Sequence, residues 1–247
     1  SVAGCQPQTQ PQAQSEEPTA EQERFDAFIE KEFVDTMESD YTTAHVYLQD
    51  PESFGVDPDK ISVSLGTRMD EESQQASLDA FEATCEEFRT FDRDELSAEQ
   101  QDIYDIFDYQ VSLSESLSDE RFDYYAPMFE SISGLHYQLP TLFADWQLRN
   151  EEDVQDLITL MSDVRPYVDS ALEYTRTQEE KGLLMLDLDS VISYCEGIVE
   201  SGEDSAVLQA MNDSIAALEL GEEKTAQYQE QLRTAFSDSF LSAYQDI

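Results

Sequence analysis

From Arg24 to Ile247 apolar side chains return every three or four positions, and this spacing constrains the fold more than any other feature of the chain. Phe25, Phe28, Ile29, Phe33 and Met37 form one stripe, and Leu78, Phe81, Cys85 and Phe88 form a second. A period near 3.6 buries one face of a helix, whereas a half-buried strand needs alternation at every second residue. Segments that alternate in that way are missing. With 8 Gly and 8 Pro in 247 residues, the chain also lacks the turns that a sandwich or barrel requires. The sequence therefore predicts an all-α fold of many helices in orthogonal or bundle-like packing, with no internal repeat of fixed period.

Local signals place several helix ends. Ser97-Ala98-Glu99-Gln100 has the form of a capping box, followed by Ile103, Phe107 and Val111 as the expected buried edge of a third helix. Asp50-Pro51, Gly55 and Asp57-Pro58 read as a loop. Residues 118–140, rich in aromatics and carrying Pro127 and Pro140, read as a packed connection with short helical turns. Asn150 can cap a helix whose first turn, Glu151-Glu152-Asp153, complements the helix dipole and whose inner face is Val154, Leu157, Ile158 and Met161. The next carries Val164, Tyr167, Val168, Ala171 and Leu172 and stops at Lys181-Gly182. Val191, Ile192, Cys195 and Ile198 lead to a stop near Gly202, and Leu208, Met211, Ile215 and Leu218 to one at Gly221. The last pattern, Tyr228, Leu232, Phe236, Phe240 and Tyr244, meets no stop signal, so the helical domain, residues 23–247, is expected to be truncated at its C-terminal end.

Charge narrows the partners. Against 56 acidic side chains stand 13 basic ones, a formal net charge of −43. Affinity for a phosphate backbone comes from Lys and Arg releasing counterions, so nucleic acid is excluded as a partner, and an anionic bilayer is disfavoured without an anchor. The opening supplies an anchor. Val2-Ala3-Gly4-Cys5 resembles the lipobox that ends a bacterial lipoprotein signal peptide; on that reading residues 1–4 are a signal remnant and Cys5 the lipid-bearing first residue of the mature chain, the alternative being a chance match or an expression remnant. Burial of acyl chains stabilises such an anchor by about 0.8 kcal/mol per methylene. Residues 5–22, rich in Gln and Pro, then read as a flexible tether with a reach of roughly 20–25 Å as a coil. The expected location is the extracellular face of a bacterial membrane.

Catalytic patterns are scarce. A zinc site needs about three protein ligands, and the chain has two histidines, His45 followed by Val46 and His136 followed by Tyr137, with no H-E-x-x-H. Each reads as a structural histidine. No G-x-S-x-G elbow or phosphate-cradling glycine cluster is present, and the Asp57-Pro58-Asp59 and Asp187-Leu188-Asp189 runs lack the glycine and closing glutamate of a calcium loop. They read as a turn and a helix start. Pairs of carboxylates carry no weight where 56 are available. Cys85 and Cys195 lie on apolar stripes, as buried free thiols or, in an extracellular setting, as a disulfide.

Several segments together resemble a bacterial family known as domain of unknown function 885. They are Ser133-Gly134-Leu135-His136-Tyr137-Gln138-Leu139-Pro140, Asn150-Glu151-Glu152-Asp153-Val154, Val164-Arg165-Pro166-Tyr167 and Glu180-Lys181-Gly182, preceded by Ala44-His45-Val46-Tyr47-Leu48, Asp50-Pro51-Glu52 and Gly55-Val56. The likeness covers nearly all of residues 23–247. It implies a longer protein similar to helical zinc metallopeptidases, with an H-E-x-x-H-like motif in a C-terminal half that this sequence does not contain. None of the family's zinc ligands or its catalytic glutamate falls on a residue here. The resemblance thus implies a non-catalytic N-terminal helical part of a lipoprotein peptidase, with a peptide substrate and zinc belonging to the full-length protein. The alternative is a complete tethered binding or scaffolding module whose acidic surface meets basic peptides, cations or cell-wall components.

Overall fold

The structure, a computed structural model, describes residues 16–184 and 187–247. It is all-α, and no strand occurs among the described residues. Helix α1 (Ala20–Ser39) starts at a capping box between Thr19 and Gln22, three residues inside the segment read as tether. Helix α2 (Tyr41–Tyr47) is capped by Asp40, whose side chain accepts from the Thr43 amide. In the loop that follows, the two Asp-Pro pairs each open a 3-10 turn, Pro51–Phe54 and Pro58–Lys60, with proline in the first position, where no amide is needed.

Helices α3 (Glu71–Phe88) and α4 (Ala98–Leu117) close on α1 around a small core of Phe25, Phe28, Cys85, Phe88, Phe91, Leu96 and Val111. Its rings interlock, with Phe28 and Phe91 centroids 5.2 Å apart and Phe88 and Tyr104 4.6 Å apart. The Ser97–Gln100 capping box forms as expected. Gln100 does more than cap, because its buried Nε2 donates to the Gln22 carbonyl at 2.8 Å and to Asp26 Oδ1 at 2.7 Å. Those bonds fix the rotation of α4. Its buried edge therefore runs through Gln100, Tyr104, Phe107 and Val111, and Ile103, expected inside, is 41% exposed.

The larger core is enclosed by α5 (Leu135–Ala144), α6 (Glu151–Ser162), α7 (Val164–Glu180), α8 (Leu188–Ser201), α9 (Ala206–Ala216), α10 (Glu222–Ala235) and α11 (Ser242–Asp246). Leu157, Leu160, Met161, Met211, Ile215, Leu232, Phe236 and Phe240 are fully buried there. Asn150 caps α6 through the Asp153 amide at 2.9 Å, and Asp187 caps α8. Lys181 and Gly182 end α7, the glycine at φ +70° in the left-handed conformation such a stop favours.

Three further expectations are corrected. The connection over residues 118–140 contains the start of a full helix, α5, with Pro140 inside it. Proline lacks the amide that would reach the His136 carbonyl, and the Tyr244 hydroxyl donates to that carbonyl instead, at 2.5 Å. Helix α9 ends at Ala216 rather than Gly221, because Glu219 turns to φ +55°, and Gly221 opens α10. The Tyr228 to Tyr244 pattern is not one regular α-helix, since a π-turn at Phe236–Leu241 separates α10 from α11. The reason lies in the spacing. A step of four residues overshoots an α-helical turn by about 40°, so a strict four-residue stripe drifts off its face unless a wider turn absorbs the excess. The turn keeps Leu232, Phe236, Phe240 and Tyr244 all buried.

Cys85 lies in the small core and Cys195 in the large one, both as buried free thiols. Burial pushes the Cys195 thiol up to about 11.

Candidate functional site

Cys5 lies outside the described residues. Neither histidine faces a shared partner. His136, in the first turn of α5, is 1% exposed, packs edge-on against Tyr194 with centroids 5.4 Å apart, and has its imidazole pushed below the ordinary range by burial. His45 sits on α2 and stacks on Trp146, centroids 4.4 Å apart. Its Nε2 lies 2.6 Å from the Gln147 carbonyl. A carbonyl only accepts, so that nitrogen carries the proton. Among the described residues no group of three or more His, Cys, Asp or Glu side chains is placed to hold a metal ion.

The most developed polar site surrounds His45. Short helix α2 puts Tyr41 and His45 one turn apart on the same face, and both rings pack against Trp146. Across from them, α6 presents Glu152, Asp153 and Asp156, which share one face because residues three and four apart on a helix are neighbours. With Leu48, Pro51, Pro58, Ile61 and Val63 on the loop side, these groups line a cleft of about 280 Å³.

Several polar groups of the cleft are committed. The Arg149 amide donates to Asp153 Oδ2 at 2.8 Å, and the Arg149 guanidinium donates to the His45 carbonyl at 2.8 Å and to Gln147 Oε1 at 3.2 Å. His45 Nδ1 is 3.9 Å from Asp153 Oδ1. Tyr41 is not committed in this way. It is 8% exposed, yet its buried hydroxyl has no hydrogen-bond partner. Desolvation, followed by the charges of Asp156 and Asp153, drives its ionisation far above the ordinary range. Asp156 responds to the same surroundings, with burial first and the neighbouring Glu152 and Asp153 charges second pushing its carboxyl up to about 6. The sequence does not reveal this site, since Tyr41 and Asp156 are brought together only by the packing of α2 against the start of α6.

A second surface feature is apolar. Helix α4 turns Ile106, Tyr109, Leu113 and Leu117 outward, with Ile106 61% and Tyr109 69% exposed. Ile103 and Phe33 continue this face into a groove between α1 and α4.

The fold and the cleft define an acidic, all-α protein with an aromatic and carboxylate-lined recess. The family model described as "Bacterial protein of unknown function (DUF885)" matches residues 52–247, and the chain belongs to that family. The match begins later than the resemblance suggests, so α1 and α2, and with them Tyr41 and His45, precede it. No curated protein and no solved structure matches the chain significantly.

Proposed function

We propose that this chain is the non-catalytic helical part of a bacterial cell-surface lipoprotein, lipid-anchored through Cys5, whose full-length form is a zinc-dependent peptidase. The observation that carries the reading is the family match over residues 52–247, taken with the resemblance of that family to helical zinc metallopeptidases; His45, bonded to Gln147 and stacked on Trp146, and His136, buried against Tyr194, are compatible with it as structural residues. Among the described residues no group is placed to hold a zinc ion, and on this reading the zinc-dependent chemistry lies in a part of the full-length protein outside this sequence. The outward apolar face of α4 adds support, because contiguous apolar surface marks sites of contact with other protein.

Two measurements test this. The full-length protein should incorporate labelled fatty acid and fractionate with membranes, and Cys5→Ala should abolish both. It should also cleave unstructured protein in a chelator-sensitive manner, while residues 1–247 alone cleave none. A full-length protein without peptidase activity, or a cleaving fragment, contradicts the proposal.

The second reading, a tethered binding module, is favoured by one observation. A buried Tyr41 hydroxyl without a partner, beside three carboxylates, suits the recognition of a cation more than structural packing. Retention of that binding by a full-length protein that lacks peptidase activity would select this reading over the first.

A further inference from the structure

We propose that the cleft between α2, the loop over residues 51–63 and α6 binds a protonated alkylamine, the group a lysyl side chain presents, with its ammonium held by Asp153, Asp156 and the Tyr41 hydroxyl. The inference does not depend on an attached peptidase.

The argument begins with unsatisfied groups. A buried hydroxyl without a partner costs stability, and native structures leave few such groups without a reason. Tyr41 lines the cleft, and its hydroxyl has no partner among the described residues. Asp156 beside it is similarly under-compensated, and Asp153 accepts from the Arg149 amide through Oδ2, which leaves Oδ1 to meet a ligand. Arg149, the cation in the lining, directs its guanidinium to the His45 carbonyl and Gln147 Oε1 rather than to Asp156. Burial first, and the Glu152 and Asp153 charges second, push the Asp156 carboxyl up to about 6, and a bound cation would offset both.

The lining selects the kind of cation. The described carboxylates and histidines are not spaced to surround a metal ion. One wall is apolar, formed by Leu48, Ile61 and Val63, and would be wasted on a bare ion. An ammonium on a short alkyl stem matches both walls, since its three donors can meet two carboxylates and a phenol oxygen while the stem lies on the apolar side. About 280 Å³ suits one such side chain rather than a folded partner.

A net charge of −43 attracts any cation, so the test must separate the cleft from the surface at large. The chain is titrated with n-pentylammonium, 1-pentanol and calcium chloride at about 0.15 M salt, where distant charges are screened. Binding is followed by calorimetry and by the fluorescence of Trp146, the single tryptophan, which adjoins Tyr41 and His45. Saturable one-to-one binding of pentylammonium is expected, weakened about tenfold by Asp156→Asn and by Tyr41→Phe, the loss of one charge-assisted contact. The exposed control Glu196→Gln, with the same change in charge as Asp156→Asn, should bind as the parent does. Equal binding of pentanol, calcium binding that Asp156→Asn abolishes, or equal weakening by Glu196→Gln overturns the proposal. Thermal unfolding of each variant confirms that it is folded before its affinity is compared.

Discussion

The Tyr244 hydroxyl supplies the hydrogen bond that Pro140 withholds. Within α5 the His136 carbonyl would accept from the amide of residue 140, which proline lacks, and the hydroxyl from α11 reaches that carbonyl at 2.5 Å in a fully buried setting. The contact joins a helix in the middle of the chain to its last turn. Removing the hydroxyl by Tyr244→Phe leaves a buried carbonyl unpaired and should cost about 1–3 kcal/mol. Pro140→Ala restores an amide, so the same Tyr244→Phe change should cost less in that background. Denaturant unfolding of the four proteins measures the coupling, and additive effects would show that the two residues are independent.

Gly134 is required for space rather than for an unusual backbone angle. A Cβ there would stand within 2.5 Å of the Glu130 carbonyl oxygen and 2.7 Å from the His136 ring. The glycine amide is itself bonded to that carbonyl at 2.9 Å, so the backbone cannot retreat without breaking the turn that starts α5. Gly134→Ala should destabilise the protein by about 1–3 kcal/mol, as overpacking does, with a lowered denaturation midpoint as the readout.

Asp156 makes stability depend on pH with a defined sign. Its carboxyl titrates at about 6 in the folded chain, above the ordinary carboxylate value, so between the two the native state holds a proton that the unfolded state has lost. Its contribution to stability therefore falls as pH rises through that window. Asp156→Asn should be more stable than the parent by about 1–2 kcal/mol above pH 7, after allowance for partial exposure, and the advantage should vanish near pH 4. An advantage independent of pH contradicts this assignment.

The two faces of α4 should respond differently to substitution. Leu113 is 48% exposed and Val111 is 5% exposed. Leu113→Lys should change unfolding free energy by no more than about 0.5 kcal/mol, while Val111→Ala should cost about 2 kcal/mol through lost burial and a cavity beside Phe107. Chemical denaturation of the two variants makes the comparison.

These particulars show how far the sequence could be read. Ser97, Asn150, Asp187 and Gly182 act where their local chemistry places them, because a cap is decided by a few neighbouring residues. Pro140 and Gly221 mislead for the complementary reason. Proline as a breaker is overruled by a hydroxyl 104 positions away, and the helix before Gly221 stops early at a Glu219 turn that no simple pattern marks. The strict four-residue stripe from Tyr228 to Tyr244 did contain the trace of its π-turn. The cleft was least legible. Among 56 acidic residues nothing distinguishes Asp156 until α2 lays Tyr41 beside it.

If the zinc-dependent chemistry of the proposed peptidase lies outside residues 1–247, those residues hold no zinc of their own. The most direct measurement is the zinc content of purified residues 1–247 after saturation with zinc and exhaustive dialysis. The account predicts far less than one ion per chain. One tightly held zinc per chain, lost on substitution of His45 or His136, would contradict it.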